Sequence, residues 1–134
     1  MVRILLVEDS DDDAFFLARA LKAHNRFVLL HHAKDGDDAV AYLTGSGDFA
    51  DRAKHPFPDI MILDLKMPNK NGFEVLEAIH GSSPRPRVMV YTSSDDPVEV
   101  NRAFSLGCDA FQTKSADAHK LAAFIKSLGW LAAK

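Results

Sequence analysis

The chain has 134 residues, a formal net charge of −3, and 47% apolar against 26% charged residues. This balance suits one compact domain over residues 1–134, and it excludes both a disordered chain and a basic footprint for nucleic acid. Cys108 is the only cysteine, so no intrachain disulfide forms, and no apolar run is long enough for a signal peptide or a membrane span; a cytoplasmic protein is expected.

Short apolar runs alternate with longer helix-like segments. Ile4 to Val7 reads as a strand buried on both faces. The acidic turn Ser10 to Asp13 then leads into a helix over Ala14 to Ala23, with Phe15, Leu17, Ala18 and Leu21 available for a core face. Phe27 to Leu30 is a weaker strand, and Asp37 to Leu43 a short helix. Thr44 to Pro58 is a long connection with Gly45, Gly47, Pro56 and Pro58; it reads either as a binding loop or as a tolerated surface insertion. Ile60 to Leu63 is a second fully buried strand, followed by a helix over Gly72 to Ile79. Val88 to Val90 is the next strand. The helix after it is well marked, with Asp96 as cap, Pro97 at its first position, Glu99 in its first turn and Gly107 past its end. Ala110–Phe111 is a short strand, and Ala116 to Leu131 the last helix. Five strands alternating with five helices predict a doubly wound α/β fold, a parallel sheet covered on both faces.

The polar residues fall at one end of these strands. Glu8 and Asp9 follow the first strand, Asp64 ends the third, Thr92 ends the fourth and Lys114 follows the fifth. Parallel strands bring all of them to one edge, where open α/β sheets bind ligands. Carboxylates gathered there repel one another unless a cation joins them, and oxygen ligands on a shallow rim suit Mg²⁺. A carboxylate beside Mg²⁺ can act as a nucleophile toward a phosphoryl group, with the Lys114 ammonium and the Thr92 hydroxyl on the phosphoryl oxygens. Each residue alone has a plainer explanation, since acids after strands commonly cap helices. Asp64 is harder to explain in that way, because a carboxylate ending a buried strand needs partners.

With these residues in hand the chain resembles the receiver domains of two-component response regulators. The resemblance is carried by Leu6-Val7-Glu8-Asp9, by the run from Pro58 to Pro68 with Gly72 after it, by Tyr91-Thr92-Ser93, and by Gly107 leading to Phe111 and Lys114. It implies a flavodoxin-like receiver fold with strand order 2-1-3-4-5, with Asp64 as phosphoacceptor and Asp9 as direct metal ligand. Glu8 would ligate through water, and the backbone carbonyl of Lys66 directly. Thr92 and Lys114 would bind the phosphoryl oxygens, with Thr92 and Phe111 as the switch pair. It further implies Mg²⁺ as cofactor and a sensor histidine kinase as phosphodonor. The 44–58 insertion and the ending Leu128-Gly129-Trp130-Leu131 resemble the subgroup that works with phytochrome-type kinases. No room remains for an output domain, so a stand-alone receiver is expected, not a turnover enzyme. Where the family usually has proline joined by a cis bond, this chain has Ser115; the Lys114–Ser115 bond is then either trans, or cis and held by the active-site loop, and cis is favoured because Lys114 must still reach the phosphate.

Other readings are weaker. A receiver-fold binding module indifferent to phosphate would not need the full site set. An aspartyl phosphatase carries a second acid two residues past its nucleophile, where this chain has Lys66. A flavin carrier would not place Glu8-Asp9-Ser10-Asp11-Asp12-Asp13 where a phosphate must sit. The six histidines are scattered and do not suggest a metal site. Signalling without an output domain needs a surface. The fourth helix, fifth strand and last helix are expected to supply it, with Leu121, Ala122, Ile125 and Leu128 facing the sheet. Phe124, Trp130 and Leu131 would then form an outward patch for a homodimer.

Overall fold

The computed structural model describes residues 1–115 and 117–133. Five parallel strands, β1 (Val2–Val7), β2 (Phe27–Ala33), β3 (Ile60–Leu63), β4 (Arg87–Thr92) and β5 (Ala110–Thr113), form one sheet in the order β2-β1-β3-β4-β5. The helices are α1 (Asp11–Lys22), α2 (Gly36–Thr44), α3 (Gly72–Ile79), α4 (Pro97–Ser105) and α5 (Ala118–Ala132), with a single 3-10 turn at Gly47–Phe49. This is the expected doubly wound architecture. Ala116, the expected start of the last helix, lies outside the described residues.

Side chains alternate across each strand, so the two faces feed two separate cores. Leu5, Val7, Met61, Leu63, Val88 and Val90 pack toward α2, α3 and α4. Ile4, Leu6, Ile60, Ile62, Met89 and Tyr91 pack toward α1 and α5. β1 and β3 lie inside the sheet with both faces covered, which is why their sequences are unbroken apolar runs. Truncating one of these residues to alanine costs about 2–5 kcal/mol.

The expected outward patch on the last helix is corrected by the structure. Phe124 is 2% exposed and stacks on Tyr91, with ring centroids 4.3 Å apart and planes at 22°. Leu131 is also buried, while Ala122, expected on the sheet, is exposed. Leu121, Phe124, Ile125, Leu128 and Leu131 follow spacings of three and four and make one continuous stripe, which a helix lying along a sheet can bury whole. Trp130 alone of the expected patch faces outward, at 70% exposure.

The connection from 44 to 58 is built around Arg52. Gly45 closes α2 in the left-handed region at φ 67°. The Arg52 guanidinium then donates to the carbonyls of Tyr42 and Leu43, both at 2.8 Å, and to those of His55 and Phe49 at 3.1 and 3.4 Å. The Tyr42 hydroxyl, wholly buried, donates to the Pro56 carbonyl at 2.9 Å. His31, Tyr42, Phe49 and His55 pack ring on ring beside it. This loop lies at the amino end of β3, the opposite edge of the sheet from Asp64.

Candidate functional site

Glu8, Asp9, Asp64, Thr92 and Lys114 meet at the carboxyl ends of β1, β3, β4 and β5, as their positions predict. Register sets this: Val7 lies opposite Leu63, and Asp64 donates its N–H to the Val7 carbonyl at 3.0 Å. Thr92 lies opposite Thr113, and its carbonyl accepts the Lys114 N–H at 2.7 Å. Behind Asp64 the chain doubles back so closely that a Cβ on Gly72 would come within 2.4 Å of the Asp64 carbonyl oxygen; only glycine fits there.

Three of the side chains are buried, Glu8 at 3%, Asp64 at 5% and Thr92 at 0% exposure. Asp9 is exposed. Carboxylate oxygens of Glu8, Asp9 and Asp64 lie within 4.8 Å of one another, close enough to share one cation. The Lys114 ammonium lies 2.6 Å from Glu8 Oε1, 2.9 Å from Asp13 Oδ2 and 3.0 Å from Asp64 Oδ2. Asp13 was not among the expected site residues. An acid three residues past Ser10 reads as part of a helix cap, and only the fold brings it to Lys114.

Two effects oppose each other at Glu8. Burial penalises the carboxylate, and the ammonium favours it; burial wins, and the neighbouring Asp64 adds to it, so the Glu8 pKa rises from 4.5 to about 7. At Lys114 burial works against the charge, but hydrogen bonds to Glu8, Asp13 and Asp64 outweigh it and hold the pKa above the usual lysine value. Among the described residues, Thr92 Oγ1 is the buried side-chain polar atom that has no hydrogen-bond partner. A buried hydroxyl without a partner costs free energy and is suited to an incoming oxygen. The Lys66 N–H donates to Asp64 Oδ1 at 3.3 Å, while its side chain is exposed. Phe111 lies on β5 opposite Val90, half-buried against the core. The cis expectation for Lys114–Ser115 is overturned. That bond is trans, and Lys114 still reaches Asp64, because the short β5 ends directly over the site.

A grouping of three oxygen donors on a rim, two of them buried, fits a hard divalent cation. Beside it, the buried Asp64 carboxylate and the Lys114 ammonium lie 3.0 Å apart at the strand ends, with Thr92 ending the neighbouring strand, a setting in which a tetrahedral oxyanion can be held.

A family model described as the response regulator receiver domain matches residues 4–126. The chain is 32% identical over 127 residues to the response regulator Rcp1 of Synechocystis sp., across 93% of this chain and 84% of that protein. The structure of the Mn²⁺-bound form of Rcp1 covers 98% of this chain and 95% of its own, with a TM-score of 0.83 at 31% identity. The phosphorylated cyanobacterial phytochrome response regulator RcpA gives a TM-score of 0.83 at 31% identity, over 95% of this chain and 90% of that one. The bacteriophytochrome response regulator AtBRR gives 0.77 at 32%, over 96% and 93%.

Proposed function

We propose that this chain, which belongs to the response regulator receiver domain family, accepts a phosphoryl group on Asp64 with Mg²⁺ at Glu8, Asp9, Asp64 and the carbonyl of Lys66. The single observation that carries this reading is the Lys114 ammonium 3.0 Å from the buried Asp64 carboxylate, at the strand ends where Glu8, Asp9 and Asp64 gather their oxygens. A carboxylate oxygen of Asp64 attacks phosphorus; an O–P bond forms, and the P–N bond to a kinase histidine breaks as the imidazole leaves. The Thr92 hydroxyl donates a hydrogen bond to one phosphoryl oxygen, and Lys114 places its charge beside another. Mg²⁺, when bound, supplies charge neutralisation at the same oxygens. Thr92 drawn toward the phosphoryl group leaves room for Phe111 to turn inward, which biases a two-state surface.

The phosphodonor is a sensor histidine kinase of phytochrome type, and the setting is the cytoplasm. The names of RcpA and AtBRR support the kinase type, and no helix among the described residues is long and apolar enough to cross a membrane. Residues 1–134 act as one receiver domain. Copies pair through α4, β5 and α5, where the exposed apolar residues are Val98, Phe104 and Trp130. Trp130→Asp is expected to lower self-association in sedimentation while leaving the fold intact; wild type that stays monomeric at high concentration, with and without phosphoryl group, would count against the pairing.

The test of the main reading is labelling by a small phosphodonor. Asp64→Asn keeps its far-ultraviolet spectrum and loses all label, and excess chelator removes label from wild type. Label that persists in either case sinks the assignment.

A further inference from the structure

We infer that Asp13 is a positioning residue that keeps Lys114 at the site when a divalent cation takes over the other carboxylates, an inference that rests on the metal reading above. Lys114 has three carboxylate partners, and they are not equivalent. Glu8 and Asp64 belong to the group whose oxygens converge within 4.8 Å, and Asp13 does not. A cation held by Glu8 and Asp64 competes for the same carboxylates that the ammonium uses. Of the three partners, Asp13 is the one Lys114 keeps.

Asp13 is free for this role because its ordinary task is already filled. Ser10 caps α1, and its hydroxyl accepts the Asp13 N–H at 3.2 Å. A third-position acid would commonly return the bond to the cap's own N–H. Here the Ser10 N–H donates instead to Glu8 Oε2 at 3.2 Å, and the Asp13 carboxylate turns to Lys114 at 2.9 Å. Asp13, half-exposed, and Lys114, mostly buried, also line one cleft of about 530 Å³ together with Phe16, Tyr91 and Leu121. The ammonium therefore has room to leave Glu8 and Asp64 without being lost to bulk water. At Asp13 it remains at the rim, within reach of an arriving phosphoryl oxygen.

The immediate neighbours give a control. Asp11 pairs with Lys34 at 3.2 Å, and Asp12 is exposed in the same helical turn. Asp12→Asn removes the same charge from the same helix start without touching Lys114. Mg²⁺ binding is measured by calorimetry on wild type, Asp13→Asn, Asp12→Asn, Lys114→Met and the Asp13→Asn/Lys114→Met double variant. We expect Asp13→Asn to weaken Mg²⁺ binding roughly three- to fivefold, Asp12→Asn by less than about twofold, and Asp13→Asn to have no effect in the Lys114→Met background. Asp13→Glu is expected to restore most of the loss. An equal loss in both backgrounds would mean simple long-range attraction and would overturn the inference, as would an equal loss from Asp12→Asn. If wild type shows no saturable Mg²⁺ binding, or if Asp64→Asn binds Mg²⁺ as well as wild type does, the metal reading falls and this inference with it.

Discussion

The two ends of the sheet handle their carboxylates in opposite ways. At the amino end Asp59 and Asp109 each sit beside arginine. Asp59 accepts the Arg3 backbone N–H at 2.8 Å and lies 3.5 Å from its guanidinium. Asp109 accepts the Val88 N–H at 2.8 Å and faces Arg85 at 3.3 Å. Arg52 in turn spreads its guanidinium over four carbonyls. At the carboxyl end Glu8, Asp13 and Asp64 share one lysine, and among the described residues the buried Thr92 hydroxyl has no partner. Polar groups that are fully satisfied stabilise a fold; groups left short of partners cost stability and persist where a ligand completes them. The fold is held at one end and works at the other.

The sharpest way to break this contrast is at Arg52. Arg52→Ala leaves the α2 carbonyls and the buried turn without their donor, and is expected to lower unfolding free energy by about 2–3 kcal/mol. Denaturant titration reads the loss. Phosphoryl labelling of the folded variant should equal wild type; a labelling defect would show that the two ends are not separate.

Glu8 tests the opposite end through pH. The folded protein keeps a proton on Glu8 up to about pH 7, whereas the unfolded chain releases it near 4.5. The folded state therefore binds more protons across that window, and the contribution of Glu8 to stability falls as pH rises through it. The difference in unfolding free energy between wild type and Glu8→Gln, without Mg²⁺, is expected to fall by on the order of 2 kcal/mol from pH 4.5 to 7.5. A flat or rising difference would mean that the ammonium, not burial, governs this carboxylate.

Thr92→Val follows. It removes an unpartnered buried hydroxyl at nearly constant shape, so stability is expected to rise by about 1 kcal/mol while the phosphoryl transfer rate falls at least about tenfold. Stability lost together with rate would assign Thr92 a structural role. The smallest effect is expected at Lys66, whose exposed side chain stands two residues past Asp64. Shielding of the acyl phosphate by its stem should make the phosphorylated state of wild type outlast that of Lys66→Ala by about two- to threefold, as suits an exposed charge. Equal or slower hydrolysis in the variant removes the idea.

What the sequence disclosed follows the same division. Ile4 to Val7 and Ile60 to Leu63 were legible because strands covered on both faces leave no polar residue to blur them. Glu8, Asp9, Asp64, Thr92 and Lys114 were legible because strand ends are points that topology gathers. The apolar run predicts β2 only to Leu30, because His31 and His32 interrupt it; in the fold His31 pairs with Asp38 at 3.0 Å and His32 approaches the Glu8 carbonyl at 2.6 Å. Helical spacing alone turns Phe124 outward because the ring of Tyr91, which it stacks on, belongs to another element. Asp13 and Arg52 were hidden for one reason: each acts on atoms that only tertiary structure brings near.

Phosphoryl transfer to Asp64 is tested most directly by trapping the acyl phosphate. Wild type is phosphorylated by a small donor in Mg²⁺ and reduced with borohydride, which converts an aspartyl phosphate to homoserine, and the peptides are mapped by mass spectrometry. The account predicts homoserine at position 64, dependent on both donor and Mg²⁺. Homoserine at Asp9 or at another acid, or phosphate recovered on a hydroxyl or imidazole instead, would contradict it.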